Sequence, residues 1–495
     1  MCQAPADDVA RGMLGPVVPD DVALENLQLV PSVRPMRIYE VLLPDRKTLH
    51  LVLPPVSMWR PLRAEQGMLT SEAIAVRWIR ETIARVTSVG EQKESSSSSA
   101  SRNITTSLLP FLPTLLRLGR ETHAPNSSFA VYEPVSGTPL SLFSSEPAPT
   151  ARREIDHQLG ALFRDLSTLT SPTGRFGPLA AVVDTGSGTG TSKPPAPAGK
   201  RPRLPQLLTE SGLSATGGAG TWSVAFHSML EGVLRDGEDM AVVVSYSTIR
   251  RQFRRLGYLL DDVTTGRLVV VEGVGRGNVL VEEVGGQQEK DVKQEKEGDD
   301  NGPDGGKNKG KAIDQKASVK KEDDTEKEDV TEKGEAGATQ EKNDTQPQQN
   351  LKLTGLRDWS SAIFGDPLLA TVFSDPHQPL PSSAFLEGFN DEKPNSDRDS
   401  RHAQLPYPLN PTIIENVDTA GVRLLFYQVY HTVTRIVSEF YRPRQDSSAR
   451  ELEARKKLNE VLTKLAEVPD NTKKRHQRPS GEMSPAKRLR GAEDE

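Results

Sequence analysis

The 495 residues carry 62 Lys and Arg against 68 Asp and Glu, a formal charge of −6, with 35% apolar and only 5% aromatic residues. That length allows two or three domains, but so low an apolar content excludes a chain packed into a core from end to end. The charge belongs to one stretch: Glu289 to Asp344 holds 12 Lys and 18 acidic residues, which leaves the remainder neutral.

A neutral remainder without a recognised binding motif leaves nucleic-acid recognition the least supported class. The single cysteine, Cys2, offers no internal disulfide, which fits a reducing compartment. The opening MCQAPADDVARGML contains acidic residues and no apolar run, unlike a signal peptide. No stretch approaches the roughly 18 apolar residues of a membrane span.

In chain order, residues 1–35 are Pro-rich and are expected to form a flexible lead-in. From Met36, RIYEVLLP and TLHLVLPP flank the turn-like Asp45–Lys47 and predict a hairpin. The helix SEAIAVRWIRETIARV follows, with Ala73, Ile74, Trp78 and Ile79 near helical spacing and Thr70 or Ser71 as its cap. Gln92 to Arg102 is a low-complexity insertion, and Phe129 to Tyr132 reads as a strand. Ile155 to Leu169 places Leu159, Leu162, Phe163 and Leu166 on one buried helix face.

Asp184 to Gly220, rich in Gly, Ser, Thr and Pro, predicts a flexible loop. Trp222 to Leu234 and Ser247 to Leu260 are helical patterns; on the second, Arg250, Arg251, Arg254 and Arg255 form a face for phosphate or an acidic partner or, the favoured reading, a solvated face. Glu283 to Asn350 has no aromatic residue and almost nothing apolar, so it cannot offset its ordering entropy and is expected to be disordered. Asn416 to Arg442 predicts a long buried helix and Ala449 to Val468 a more charged one. The tail carries two basic clusters, Lys473 to Arg475 and Pro485 to Arg490, spaced as in a bipartite nuclear import signal. A solvated tail touching anions nonspecifically is the alternative, so the expected location is nucleus or cytoplasm.

Two stretches carry the chemistry, LVVVEGVGRGNVLV (Leu268 to Val281) and LKLTGLRDWSSAIFGDPLLATVF (Leu351 to Phe373). Each begins as an apolar strand and leaves a polar residue at a break, Asn278 in the first and Asp358 in the second. Both resemble the catalytic and metal-binding loops of the aminoglycoside phosphotransferase and choline-kinase-like family, whose pattern is H-x-D-x-x-x-x-N and then a second Asp followed by Trp and G-D-P. Asn278, Asp358, Trp359, Gly365, Asp366 and Pro367 match that pattern. The catalytic Asp position holds Gly273 and the His position Val271.

The resemblance implies an α+β, two-lobed protein-kinase-like fold: a small β-rich lobe over 36–135, a larger mainly helical lobe over 136–442, and a helix with a basic tail over 443–495. It also implies that Asn278 and Asp358 hold Mg²⁺ and that Tyr132, Glu133 and Val135 form the hinge where ATP would place its base. Glu72 falls where the family's helix Glu pairs with a strand Lys, yet Leu49 to Leu53 offers only His50. Otherwise Glu72 is a first-turn acid favourable to the helix dipole. Glu272, one residue from the base position, points away in a regular strand and reaches the site only if Gly273 permits a bulge. Two functions follow. One is ATP- and Mg²⁺-dependent phosphoryl transfer to a small-molecule hydroxyl, with Glu272 as a displaced base. The other is a pseudokinase that acts as an interaction scaffold and reaches protein partners through its charged insert.

Overall fold

The computed structural model describes residues 5, 7–19, 21–22, 24, 26–30, 32, 34–56, 60–91, 107–120, 128–143, 146–183, 217–283, 351–391 and 407–469. The expected low-complexity insertion and basic tail, the charged insert apart from Glu283, which ends a strand, and nearly all of the Gly-rich loop lie outside them.

The first 35 residues depart from their expected role. They form helix α1 (Asp7–Leu14) and strand β1 (Asn26–Val30). β1 pairs antiparallel with β2 (Arg37–Leu42), Asn26 opposite Leu42 and Val30 opposite Ile38. β2 forms the expected hairpin with β3 (Thr48–Leu53). α2 (Met68–Glu91) follows, longer at both ends than its apolar spacing predicts. β4 (Thr114–Arg120) and β5 (Ser128–Glu133) complete a five-stranded antiparallel sheet in the order β1-β2-β3-β5-β4.

Strand residues alternate between two faces. Leu49, Leu51 and Leu53 of β3, with Tyr39, Val41, Phe129 and Val131, pack against Ala10, Met13 and Leu14 of α1. That contact is why the lead-in is folded: α1 covers an apolar face that would otherwise meet water. The other face presents Val52, Ala130 and Tyr132 to Leu69 at the start of α2.

The rest of the chain is mainly helical. After the short strand β6 (Thr138–Pro139) come α3 (Pro149–Thr168), the short β7 (Gly177–Pro178), α4 (Leu179–Val182), α5 (Trp222–Asp239) and α6 (Tyr246–Leu256). Four strands follow, β8 (Arg267–Val270), β9 (Val279–Glu283), β10 (Leu351–Leu356) and β11 (Ala362–Gly365). They build two small sheets, β10-β9-β6 and β7-β11-β8. The chain then adds α7 (Thr371–Ser374), α8 (Ser383–Asn390), α9 (Val417–Tyr441) and α10 (Ser447–Glu467). The fold is α+β, a β-rich sheet region joined to a helical region. A large apolar core joins α2 to the helical region, with Trp78 of α2 meeting Phe364 of β11 edge to face at 5.1 Å, while the five-stranded sheet packs smaller clusters on its two faces.

The arginines of α6 are not uniformly solvated. Arg250 pairs with Glu231 at 2.9 Å and Glu238 at 2.6 Å, and Arg255 donates to the carbonyls of Leu465 and Val468 at the end of α10. Arg251 and Arg254 are exposed, as expected.

α3 and α8 touch backbone to backbone. A Cβ on Gly160 would lie 2.0 Å from the Phe385 carbonyl oxygen, and one on Gly388 2.1 Å from that of His157. Gly160→Ala is therefore expected to cost about 3 kcal/mol, because backbone must move. Gly232→Ala in α5, where nothing lies within 4 Å, should gain about 1 kcal/mol of helix propensity. Denaturant midpoints of the two variants test this; equal effects would contradict the packing.

Candidate functional site

The register of β9 and β10 builds the site. Val279 lies opposite Leu356, so Asn278, just before one strand, meets Asp358, just after the other. The Arg357 N–H donates to the Asn278 carbonyl at 2.9 Å, and the Asp358 N–H to Asn278 Oδ1 at 2.7 Å. Asn278 Nδ2 faces the carbonyls of Asp358 at 3.2 Å, Gly273 at 3.3 Å and Glu272 at 3.4 Å. Buried and bonded at both ends, this carboxamide clasps the two loops together.

The loop before Asn278 leaves the strand at Val271 and turns, with the Gly273 N–H bonded to the Val270 carbonyl at 3.1 Å. A Cβ on Gly273 would fall 2.6 Å from the ring of buried Phe163. A side chain at residue 273 would thus point into packed aromatic carbon. Strand alternation no longer governs Glu272, which sits in the turn and lines the same cleft as Asn278 and Asp358, its side chain 59% exposed.

The residue that sequence reasoning missed is Arg34. It sits in the connection between β1 and β2, and its side chain is only 8% exposed. Nε lies 2.5 Å from Asp358 Oδ2, one Nη lies 3.2 Å from Glu272 Oε2, and the other donates to Ser360 Oγ. The remaining oxygen of Asp358 accepts the Ser360 N–H at 2.7 Å. The signal for Arg34 was the alternation of NLQLV before a Pro-flanked turn, which makes β1 a strand and its connection to β2 a loop over the site.

Glu72 is buried in α2, and its Oε1 accepts the Trp359 N–H at 3.3 Å. Burial, reinforced by the Asp358 charge, pushes its carboxyl up to about 8, against the pull of that hydrogen bond, Arg34 and Arg357. No strand lysine answers it. His50 is paired opposite Tyr132, and burial with the nearby Arg357 lowers it to about 4, so it is neutral at physiological pH. The Tyr132 side chain is buried with its hydroxyl unbonded among the described residues; burial, then Glu72 and Asp358, raise it well above the usual phenol range. Glu133 instead ion-pairs with Lys47 at 3.3 Å, and Val135 packs beside Gly355. The structure thus brings Glu72, Tyr132, Glu272, Asn278 and Asp358 into one neighbourhood and leaves Glu133 and Val135 on its margin.

The open cleft beside these residues has a volume of about 420 Å³ and runs from Arg34 to α9. A divalent cation needs oxygen donors that are free to approach it. Here Asn278 Oδ1 and both Asp358 oxygens have partners, and a guanidinium lies against Asp358. The donor set in this arrangement does not fit Mg²⁺.

No family model and no curated protein matches the chain. Solved structures similar to it include a Ralstonia eutropha protein assigned as an aminoglycoside phosphotransferase, 9% identical, covering 93% of this chain and 98% of that one with a TM-score of 0.42. The GDP complex of wild-type aminoglycoside 2'-phosphotransferase-IIIa is 12% identical over 92% and 98% of the two chains, with a TM-score of 0.38. A Thermobifida fusca protein assigned as a fructosamine-3-kinase is 13% identical over 89% and 94%, with a TM-score of 0.37. Scores this low leave the geometry of the site as the ground for its function. No helix among the described residues is long and apolar enough to cross a membrane.

Two outcomes follow from this geometry. With its carboxyl raised from 4.5 to about 8, Glu72 holds its proton in the folded state after the unfolded chain has lost it. Its contribution to stability is therefore greatest at low pH and falls as pH rises from about 4.5 through about 8. Glu72→Gln should remove that slope and be more stable than the parent at pH 8.5, read from melting temperatures across pH 5 to 9. Gly273→Asp should lower stability by about 3 kcal/mol through the Phe163 clash and confer no phosphoryl transfer. A stable variant with new transferase activity would contradict it.

Proposed function

We propose that this chain is a kinase-like domain that binds through its cleft without transferring phosphoryl groups, a pseudokinase. The observation that carries the reading is the Arg34 guanidinium seated between Asp358 and Glu272, a fixed cation from the chain in place of a bound one. Phosphoryl transfer depends on positioning and on metal ions that neutralise developing charge. A domain with Gly273 at the base position and its metal-type Asp committed to an arginine supplies neither. Loss of the base alone costs about 10² to 10⁴ in rate.

A second reading rests on one observation: Glu272 shares the cleft with Asn278 and Asp358. ATP-dependent transfer to a small-molecule hydroxyl would use it as the displaced base, after Arg34 had withdrawn.

Thermal shift on the full chain tests the two. MgATP and ATP with chelator are expected to give the same melting temperature. A Mg²⁺-dependent rise that Asp358→Ala abolishes, with hydroxyl phosphorylation lost in Glu272→Gln, would establish the transferase instead. Arg34→Ala should destabilise the fold by about 3 kcal/mol, since it strips the partner from a largely buried carboxylate.

A further inference from the structure

The lower end of the cleft is floored by one face of α9, where His431, Thr434, Arg435 and Ser438 recur at helical spacing. Thr371 and Asp375 form a wall, and Arg450 reaches in from α10. Most charges here are already matched. Arg34 is paired with Asp358 and Glu272, Arg276 with Glu146, and Arg450 with Glu439 at 2.8 Å. Asp375 accepts the His377 N–H at 3.0 Å and Gln378 Nε2 at 3.2 Å. The hydroxyls of Thr434 and Ser438 donate back along the helix to the carbonyls of Tyr430 and Thr434.

Arg357, beside Asp358, and Arg435, on α9, are the exceptions: Arg357 Nη2 and Arg435 Nε are buried without a hydrogen-bond partner, and neither arginine forms an ion pair among the described residues. Thr371 Oγ1 is also buried and unbonded. Arg435 is half-buried, so water meets the rest of its guanidinium in the open cleft, and a ligand bearing oxygens can take the place of that water. The volume of about 420 Å³ falls within the range of small-molecule sites.

We propose that the α9 end of the cleft binds a small ligand bearing an oxyanion, a phosphomonoester or a carboxylate, anchored by Arg435 and supported by the Thr371 hydroxyl. The guanidinium offers parallel N–H donors that match such a group two at a time. The site rests on the reading of the cleft as a binding surface and requires neither a metal nor a catalytic base.

The probes are inorganic phosphate and sodium acetate, titrated onto the full chain by thermal shift, with sodium chloride at matched ionic strength. Phosphate or acetate should raise the melting temperature saturably where chloride does not; the stronger of the two identifies the ligand class. Arg435→Ala should weaken that response by about tenfold and Thr371→Val by about threefold, while Arg251→Ala on the exposed face of α6 leaves it unchanged. Arg435→Gln, which keeps most of the side-chain volume, replaces the alanine variant if that one does not fold, with the same loss expected. No saturable response above chloride, or an undiminished one in the Arg435 variants, would overturn the site. A Mg²⁺-dependent ATP response alongside intact oxyanion binding would overturn the inactive reading alone, so the two failures are distinct.

Discussion

Asp366 shares one carboxylate oxygen between the Arg423 guanidinium at 2.9 Å and the Tyr427 hydroxyl at 2.8 Å, while its other oxygen accepts the Leu368 N–H. Tyr427 in turn accepts the Trp222 indole N–H at 2.7 Å, and Arg423 also donates to the Glu415 and Asn416 carbonyls. All four side chains are essentially inaccessible to water. A buried carboxylate is tolerable only when its charge is answered and its lone pairs are bonded. This one answers both needs by joining α5, α9 and the end of β11. The site loops hang from that joint: β11 continues from the Asp358 turn and pairs with β8, which leads into the turn carrying Glu272 and Gly273.

With that frame held, the chemistry at its edge is settled by small displacements. Asn278 spends its carboxamide on neighbouring backbone, Gly273 lies against Phe163, and Glu72 keeps a proton where a lysine would have kept it charged. Arg34 then fills an electrostatic need left by the others. Without a cation, Asp358 and Glu272 would gather negative charge in a partly desolvated space. These arrangements are consistent with one another: with no lysine beside the buried Glu72, the arginine answers the charge of the two neighbouring carboxylates.

Much of the fold was legible because the long helices advertise themselves. Leu159, Leu162, Phe163 and Leu166, or Leu424, Tyr427 and Val433, recur at helical spacing and are buried in α3 and α9. The strand ends at Asn278 and Asp358 were legible from the apolar runs beside them. The contribution of α1 and β1 was not, because eight and five residues are too short to stand out within a Pro-rich stretch. Arg34 was harder still. It is one of 62 basic residues and lies 326 positions before Ser360, and only the β1–β2 connection brings it to the site. Asp366 could be matched to a motif, yet its partners at Arg423 and Tyr427 are a matter of packing that spacing does not encode.

The β9–β10 hairpin has one further consequence. Glu283 pairs directly with Leu351, so the chain departs at residue 283 and returns beside it at residue 351. The departure lies at the far end of the strands from Asn278 and Asp358, about 13 Å along β9. Sequence can be added or trimmed at that port with little strain on the clasp, since the entropy of closing a loop grows only with the logarithm of its length. The domain can therefore diversify by appendage there while its interior stays constrained by Asp366.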